Sequence, residues 1–589
     1  MPILRRTHSC GELRESNAGQ AVILNGWVNT IRAYPQQVFI DLRDRYGLTQ
    51  VVVEADDKEQ FARAQELGRE FCLAVRGAVR SRLPGKHNPA MSTGDIEVKA
   101  AEVQVLNRCP TPPFSVTEFP DEELANEDLR LQYRYLDLRR TSLQRILMLR
   151  HRMIKVIRDY LSARDFLEIE TPFLGRSTPE GARDYLVPSR VHPNHWYALP
   201  QSPQLYKQLL MVAGYDKYFQ IARCMRDEDL RADRQPEFTQ LDFEMSFVEQ
   251  EDVLTVIEQL SAEVVRECID AEIPVPFPRL TYDDVMLRYG SDKPDLRFGL
   301  EIVELSDWAA ATEFQVFKSA VADGGKVRAI NVSGAADKFS RKQLDELTEF
   351  VKQYNAKGLA WLKVEAGKLN SPIEKFLPAA SQQSLREMMG ANAGDLLLFV
   401  ADTEATAAQA LGALRGELAR RLGLIDPAKK DFKFVWVVDF PSFIWDAEEK
   451  RWAANHHPFT APRDEDLPLL ETDPGKVKAK AYDLVLNGYE VGGGSIRIHN
   501  PDVQARLFKV LGMELDQARE RFGFLLDALK FGAPPHGGIA FGLDRWTMIL
   551  AGTTNIRDVI AFPKNKQARD LMTGAPAPVE RRQLKELGL

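Results

Sequence analysis

A stretch of seventeen residues, RDEDLRADRQPEFTQLD from Arg226 to Asp242, combines cations, carboxylates and an aromatic ring. The apolar segment IARCM at 221–225 leads into it, DEDLRADRQP is a polar connection, and FTQLDFEMSF returns with alternating apolar and polar residues. This pattern predicts an antiparallel hairpin that carries Arg226 and Phe238 side by side. A guanidinium group binds phosphate through paired hydrogen bonds, and a phenyl ring offers a face on which a base can stack. The hairpin is therefore a candidate nucleotide site, and a solvated, salt-bridged hairpin is the alternative.

The order of residues in this stretch resembles motif 2 of the class II aminoacyl-tRNA synthetases, with RDE at 226–228, arginine at 234 and EF at 237–238. Three other segments are similar to the bacterial-type aspartyl-tRNA synthetases of class IIb: TPEGARDYLVPSR at 178–190, ALPQSPQLYKQLLM at 198–211 and GIAFGLDRW at 538–546. The resemblance extends over nearly the whole chain, so it is far more specific than a single glycine-rich loop.

The resemblance implies an enzyme that activates L-aspartate with ATP to form aspartyl-adenylate and pyrophosphate, and then transfers aspartate to the 3′ end of tRNA(Asp). It leaves open whether tRNA(Asn) is also a substrate. A catalytically silent RNA-binding relative of the same fold is the alternative. Such a relative should have lost some of the family's ATP and aspartate contacts, yet the chain retains Arg226, Glu490, Arg497 and Arg545.

The resemblance also assigns individual residues to the reaction. The predicted catalytic residues are Arg226, which would hold the α-phosphate as charge develops there, Arg545, which matches the family's motif 3 arginine on ATP, and the carboxylate Glu490. Magnesium is the expected cofactor with ATP, and the carboxylates assigned to it are Asp483 and Glu490. The predicted ATP contacts are Arg226, Asp227, Glu228, Gln235, Phe238, Glu490, Gly542, Leu543, Asp544 and Arg545. The predicted aspartate contacts are Glu180, Ser202, Gln204, Lys207, Arg226, Asp242, His456, His457 and Arg497.

Two of these residues, Lys207 and Arg497, match the family positions that hold the side-chain carboxylate of the substrate. Two cations at this place predict an anionic side chain, because a neutral or cationic substrate would leave buried positive charges unpaired. The triple glycine in VGGGSIRIH at 491–499 predicts a close approach of the backbone to the ligand, and a tight turn is the alternative for such a run.

The composition is that of an ordinary soluble protein with three or four domains: 589 residues, of which 44% are hydrophobic and 28% charged. The chain has no run of eighteen apolar residues and no apolar signal core at its N-terminus, which predicts a cytoplasmic protein without a membrane partner. The net charge of −8 argues against non-specific coating of nucleic acid. Five cysteines without C-x-x-C spacing argue against a disulfide framework and a structural zinc site, so no zinc is expected.

Residues 1–108 contain five short segments of alternating polarity, with a polar helix between the third and the fourth. This arrangement predicts an N-terminal OB-fold β-barrel. The resemblance makes it the anticodon-binding domain, in which Phe39, Gln50 and Glu97 match the residues that stack on and read the anticodon bases. Without the resemblance, Phe39 would be interpreted as a core residue.

Two loop positions in the barrel, Tyr34 and Gly85, match the places where family members discriminate between tRNA(Asp) and tRNA(Asn). Gly85 resembles the members that accept both, and a turn glycine in RLPGKHN is the alternative. The family's arginine cluster after GWV is reduced here to Arg32. We therefore expect relaxed tRNA specificity.

The remaining chain is expected to complete a multidomain α+β protein. Prolines and acidic residues at 109–136 predict a hinge, and 137–296 is expected to begin a catalytic core, an antiparallel sheet flanked by helices, with motifs 1 and 2. Resemblance places an inserted α/β domain, similar to the GAD domain of bacterial members, at 297–424, and motif 3 with a C-terminal extension at 425–589. Motif 1, a helix followed by a strand that ends at Pro172, implies a homodimer; an ordinary core helix and strand would have the same periodicity.

Overall fold

The computed structural model of the protein describes residues 3–119, 122–178, 182–228, 234–366, 368–426 and 429–589. The chain forms two compact units: 1–150 with 557–578, and 151–556 with 579–589. Among the described residues, no helix combines the length and the apolar character that a membrane crossing requires. The five cysteines are free thiols, and Cys10 and Cys224 are buried.

The first unit begins with a closed five-stranded barrel in the order β1-β2-β3-β5-β4. Its elements are β1 (Ala21–Ala33), β2 (Gln37–Asp44), β3 (Gly47–Glu54), α1 (Lys58–Gln65), β4 (Cys72–Ser81) and β5 (Ile96–Asn107). Strand β1 pairs with both β2 and β4, and the barrel closes through the parallel pair β3–β5. Helix α1 begins after Asp57, whose carboxylate accepts hydrogen bonds from two backbone N–H groups of the first turn. The predicted OB-fold barrel, with its helix between the third and fourth strands, is confirmed.

Three helices follow the barrel: α2 (Glu127–Gln132), α3 (Arg134–Asp137) and α4 (Thr141–Ser162). The buried guanidinium of Arg134 donates to the carbonyl oxygens of Arg557, Ile560 and Ala561 at 2.8–2.9 Å. These bonds connect α3 to the C-terminal segment of the same unit.

The second unit contains the predicted hairpin. Its first elements are β6 (Leu167–Glu168), β7 (Leu186–Pro188), β8 (Trp196–Ala198), α5 (Gln204–Val212), β9 (Lys217–Met225), β10 (Glu237–Ser246), α6 (Gln250–Ile269), β11 (Arg279–Thr281) and α7 (Tyr282–Arg288). Strands β9 and β10 pair antiparallel, with Cys224 opposite Phe238. The strand predicted to end at Pro172 is much shorter than expected, because only the two residues of β6 pair with β9.

An inserted sheet and its helices occupy the middle of the second unit: β12 (Ile302–Glu304), α8 (Ser306–Ala310), α9 (Gln315–Ala322), β13 (Lys326–Val332), α10 (Arg341–Lys352), β14 (Ala360–Val364), β15 (Leu369–Asn370), α11 (Ala379–Met389), β16 (Leu396–Asp402) and α12 (Glu404–Leu422). The strand order is β12-β13-β16-β14-β15, and all pairs are antiparallel. Both faces of the sheet are covered. Leu398 packs on one side with α10 and α12, and Phe399 packs on the other with α8, α9 and α11.

The chain then returns to the larger sheet with β17 (Phe434–Val438), β18 (Phe443–Asp446), β19 (Arg451–Ala454), β20 (Ala481–Leu486), β21 (Tyr489–Ile496), α13 (Pro501–Val510), α14 (Leu515–Leu529), β22 (His536–Gly542), α15 (Leu543–Ala551) and α16 (Arg581–Glu586). Eight strands form this sheet in the order β11-β17-β20-β21-β22-β10-β9-β6, antiparallel except at its two ends. The expected fold class, a barrel, an antiparallel catalytic core with flanking helices and an inserted α/β region, is therefore confirmed.

Candidate active site

A cavity of about 380 Å³ lies against β10, β21 and β22 of the large sheet. It brings together most residues that the sequence assigned to ATP and aspartate: Ser202, Gln204, Lys207, Arg226, Glu228, Gln235, Phe238, His456, His457, Asp483, Glu490, Arg497, Gly542, Asp544 and Arg545. Positions that are far apart in the sequence thus line one space. Their individual roles stay predictions.

Three predicted contacts among the described residues do not line the cavity. Asp227 is exposed, Leu543 is wholly buried in the core, and Asp242 lies behind the wall, bonded to Lys207. Glu180 lies outside the described residues. For Asp227 and Leu543, the assignment to ATP therefore rests on the resemblance alone.

One end of the cavity is closed by a buried ion cluster. Arg497 donates through Nε and Nη2 to the two carboxylate oxygens of Glu244, at 2.9 and 3.0 Å. Lys207 Nζ lies 3.0 Å from Asp242 Oδ2 and 3.3 Å from Glu244 Oε2. All four side chains are at most 2% exposed. Two cations are thus balanced by two carboxylates, which corrects the expectation that Lys207 and Arg497 would be unpaired without an anionic substrate.

The two carboxylates of this cluster titrate differently. Burial raises the pKa of Asp242 to about 6, and the nearby ammonium of Lys207 offsets this only in part. Burial also acts on Glu244, but the charges of Arg497 and Lys207 outweigh it, so the pKa of Glu244 is lowered. Glu244 is therefore the firmly ionised partner. Sequence reasoning missed it, although the period of two along a strand places Glu244 on the same face of β10 as Asp242.

His457 extends the cluster toward the cavity. Arg497 Nη1 donates to His457 Nε2 at 2.8 Å and to Ser495 Oγ at 2.6 Å. Burial, together with the charge of Arg497, lowers the pKa of His457 well below its usual value. The imidazole is therefore neutral at physiological pH and acts here as an acceptor, since a guanidinium can only donate.

Several buried polar atoms at the cavity have no hydrogen-bond partner within the described part of the chain. They are Arg226 Nε, His456 Nδ1 and, just behind the wall, Asp242 Oδ1. A buried polar atom without a partner costs free energy, so such atoms concentrated at one cavity indicate that a polar ligand completes them.

The hairpin lines the part of the cavity that the sequence predicts to hold the nucleotide. The guanidinium carbon of Arg226 lies 5.3 Å from the centre of the Phe238 ring, so the two residues stand side by side as predicted. Arg234 donates to the carboxylate of Glu228 at 2.7 Å. Asp544, in the first turn of α15, accepts a hydrogen bond from the backbone N–H of Thr239 at 2.9 Å and thereby joins that helix to β10.

Asp483 and Glu490 stand on the neighbouring strands β20 and β21. A Cβ atom at Gly493 would lie 2.8 Å from Asp483 Oδ1 and 3.6 Å from Glu490 Oε1, so glycine keeps the space between the carboxylates open. Burial raises the pKa of Asp483 to about 6, and the charge of Glu490 contributes. Two adjacent carboxylates that repel one another fit magnesium, which binds one or two carboxylates together with substrate phosphates. No cluster of three or more potential metal ligands occurs among the described residues.

The glycine run at 492–494 lies within β21 and is not a turn, so the alternative interpretation is wrong. Lys293 lines the cavity and, like Glu244 behind its wall, was missed by sequence reasoning. Its Nζ lies 3.0 Å from Glu490 Oε2. It follows α7 in an irregular segment, where no periodicity indicates a functional side chain.

The predicted anticodon residues also lie together, on the barrel. Gln50 Nε2 donates to Glu97 Oε2 at 2.8 Å, and Arg32 Nη2 donates to Gln50 Oε1 at 3.3 Å. Phe39 is half-buried, and Tyr34 is exposed. The two rings meet edge to face, with their centres 5.8 Å apart. The barrel therefore presents an aromatic pair beside an amide and a carboxylate.

Gly85 has a backbone φ of +76°, which favours glycine. Among the described residues other than its chain neighbours, no atom lies within 4 Å of the place where a Cβ would be. The conformation agrees with a turn glycine, and the open space agrees with a loop that does not reject a base. Both interpretations of this position therefore stay open.

Comparison with known proteins adds independent findings. Residues 126–566 match the family model for tRNA synthetases class II (D, K and N), and residues 22–106 match the model for the OB-fold nucleic acid binding domain. The chain is 55% identical over 587 residues to an aspartate–tRNA ligase of Geobacillus kaustophilus, covering 100% of this chain and 99% of the relative. It is 56% identical over 586 residues to an aspartate–tRNA(Asp/Asn) ligase of Moorella thermoacetica, covering 100% and 97%.

Solved structures with the same fold are more distant in sequence. An asparaginyl-tRNA synthetase of Pyrococcus horikoshii complexed with asparaginyl-adenylate has a TM-score of 0.59 at 19% identity, with 95% of this chain and 98% of the other covered. An aspartyl tRNA synthetase of Entamoeba histolytica has a TM-score of 0.57 at 21% identity, with 95% and 92% covered. At such identities, the likeness concerns the fold.

Proposed function

The chain belongs to the class II tRNA synthetases of the D, K and N type, and from this we propose that it is an aspartate–tRNA ligase. It activates L-aspartate with ATP, releases pyrophosphate and transfers aspartate to the 3′ end of tRNA. Full-length relatives at 55% identity support this function. The observation that carries this proposal is that Lys207, Arg497, Arg226 and Glu490 all line the same cavity, the first two at its closed end. A silent relative would not be expected to keep this set.

The geometry suggests how these residues act during activation. The carboxylate that attacks the α-phosphate arrives already charged, so positioning and electrostatic stabilisation are the main tasks of the protein. We assign the substrate side chain to the spare donors of Lys207 and Arg497, and its ammonium group to the region of Ser202, Gln204 and Asp242. Arg226, whose Nε has no partner among the described residues, is assigned to the α-phosphate. Asp483 and Glu490 would hold magnesium, which would neutralise charge on the phosphates.

Aspartate-dependent exchange of pyrophosphate into ATP, in the presence of magnesium and without tRNA, tests this function. We expect Arg226→Ala to lower kcat/KM for exchange by ~100-fold, about 3 kcal/mol, because one contact to the developing charge is lost. Arg223→Ala is the matched control, since Arg223 precedes it on the same hairpin but pairs with Glu237 and does not line the cavity. Exchange by Arg226→Ala at the level of the control would contradict the assignment.

We propose that the barrel binds the anticodon loop and that both tRNA(Asp) and tRNA(Asn) are charged. Relatives at about 55% identity named aspartate–tRNA(Asp/Asn) ligases support this, as does the open space at Gly85. Aminoacylation of the two tRNA transcripts, measured side by side, is expected to give kcat/KM values within ~10-fold. A preference for tRNA(Asp) of ~100-fold or more, about 3 kcal/mol at one base, would instead identify a strict enzyme.

We propose further that the enzyme is a cytoplasmic homodimer with the domain division predicted from the sequence: 1–108, 109–136, 137–296, 297–424 and 425–589. The resemblance of motif 1 supports the dimer, and so does the exposure of apolar side chains beside Pro172, where Leu167, Phe173 and Leu174 are each about half exposed. Light scattering at micromolar concentration is expected to give the mass of two chains, and a monomeric mass with full activity would exclude this part of the proposal.

A further inference from the structure

Lys293 adds a cation to the part of the cavity that holds Glu490 and Arg545. Its ammonium group forms an ion pair with the Glu490 carboxylate, and Arg545 Nη1 donates to the Glu490 backbone carbonyl. Lys293 and Arg545 thus converge on one residue of β21. Two cationic side chains beside the carboxylates assigned to magnesium give this part of the cavity charge-assisted donors for the phosphates of a metal-bound polyanion.

The irregular segment 290–300, which carries Lys293, is held in place by the inserted region. Arg415, on α12 and 3% exposed, donates to three backbone carbonyls of this segment: Leu300 at 2.9 Å, Gly299 at 3.0 Å and Asp295 at 3.4 Å. Its guanidinium carbon lies over the rings of Tyr289 and Phe298, 4.8 and 5.0 Å from their centres. Because this buried arginine donates three hydrogen bonds to one irregular segment, it fixes the backbone of that segment.

Close backbone packing reinforces this attachment. A Cβ atom at Gly290 would lie 2.1 Å from the carbonyl oxygen of Ala408, and one at Gly412 would lie 2.5 Å from the carbonyl oxygen of Gly290. Gly290 also has a φ of +65°. The start of the segment therefore contacts α12 directly, three residues before Lys293.

We infer that Lys293 binds the β- and γ-phosphates of ATP, the part that leaves as pyrophosphate, and that Arg415 is the positioning residue that holds Lys293 at the site. The inference rests on the proposed function, because it assigns a residue to the ATP of that reaction. It also gives the inserted region a part in nucleotide binding.

The sheet order separates the strand that Lys293 contacts from the hairpin that carries Arg226. Arg226, the predicted α-phosphate contact, follows β9 and stands over Phe238 of β10, whereas Glu490, the partner of Lys293, lies on β21. Strand β22 lies between β10 and β21, so the two strands are about 10 Å apart. A triphosphate chain can bridge this separation and a single phosphate cannot. When ATP binds, its β- and γ-phosphates can replace the Glu490 carboxylate as the partner of the Lys293 ammonium group.

Calorimetric titration with ATP, AMP and inorganic pyrophosphate, each with magnesium, tests the role of Lys293. Lys293→Met is expected to weaken the binding of ATP and pyrophosphate by ~10–100-fold, which is the effect of losing one charge-assisted contact. The affinity for AMP should stay within ~2-fold of the wild-type value. Lys293→Arg, which keeps the charge, should restore most of the ATP affinity. Equal losses for AMP and ATP, or no loss for either, would overturn the inference. If the wild-type protein failed to exchange pyrophosphate into ATP in the presence of aspartate, the proposed function would be refuted instead.

The positioning role of Arg415 is tested by the same titrations. Arg415→Met is expected to weaken the binding of ATP more than the binding of AMP. The double variant Arg415→Met, Lys293→Met should bind ATP no more weakly than Lys293→Met alone, because both changes remove the same contact between Lys293 and the phosphates. Arg415→Lys is the milder variant should the methionine variant fold poorly. Arg328→Met is the matched control: Arg328 is equally buried in the inserted region but pairs with Glu304 and Glu404. Additive losses, or an equal effect of Arg328→Met on ATP binding, would exclude the positioning role.

Discussion

Asparagine is expected to be activated at least ~10⁴-fold less efficiently than aspartate, without any editing site. Lys207 and Arg497 are donors only, and part of their hydrogen-bonding capacity is already used by Asp242 and Glu244. The donors that remain can be matched by a carboxylate, but the amide NH₂ of asparagine would face other donors in a buried site. A site built to bond one polar group rejects an analogue that lacks the matching atoms by about this factor.

The measurement is kcat/KM for pyrophosphate exchange with each amino acid, using asparagine freed of aspartate. Lys207→Met should reduce the discrimination mainly by impairing aspartate, since one of its two cationic contacts is lost. Comparable activation of both amino acids by the wild-type protein would refute the assignment of Lys207 and Arg497 to the substrate side chain.

Glu244→Gln should lower the free energy of unfolding by about 3 kcal/mol, since it removes one charge from a fully buried cluster and leaves Arg497 without its ionised partner. Glu237→Gln makes the same change on the same strand, but Glu237 pairs with Arg223 at the surface, where each side chain is about 40% exposed. The control should therefore lose no more than ~1 kcal/mol.

Parallel urea denaturation of the wild type and the two variants measures this difference. Similar losses for Glu244→Gln and Glu237→Gln would mean that the Arg497–Glu244 pair contributes no more than a surface ion pair. A small loss for Glu244→Gln alone would indicate that the cluster adapts, for instance through the carboxylate of Asp242, whose Oδ1 has no partner among the described residues.

The hairpin and the barrel could be predicted from the sequence because both follow local rules. Alternating polarity identifies their strands, and the polar connection between 226 and 238 identifies the turn. The inserted region could not be resolved in this way. Its central strands are buried on both faces, so Leu396 to Phe399 form a continuous apolar run without alternation.

The limits of sequence reasoning at the site have a different cause. The resemblance named most of the cavity residues, but it assigned Lys207 and Arg497 without their counter-ions. Glu244 escaped notice because its role depends on a contact with Arg497, 253 residues away in the sequence. Lys293 was missed because an irregular segment has no period from which the direction of a side chain could be inferred.

The three glycines of β21 restrict how this enzyme could be redesigned. A Cβ atom would lie 3.0 Å from the Phe541 ring at position 492, 2.8 Å from the Asp483 carboxylate at 493, and 2.2 Å from the Gly538 carbonyl at 494. That wall of the cavity is bare backbone. A side chain at 494 would collide with the main chain of β22, and one at 492 or 493 would require the Phe541 ring or the Asp483 carboxylate to move. Attempts to engineer a different amino-acid specificity are therefore better directed at α5, β10 and the His456–His457 loop, where side chains line the cavity.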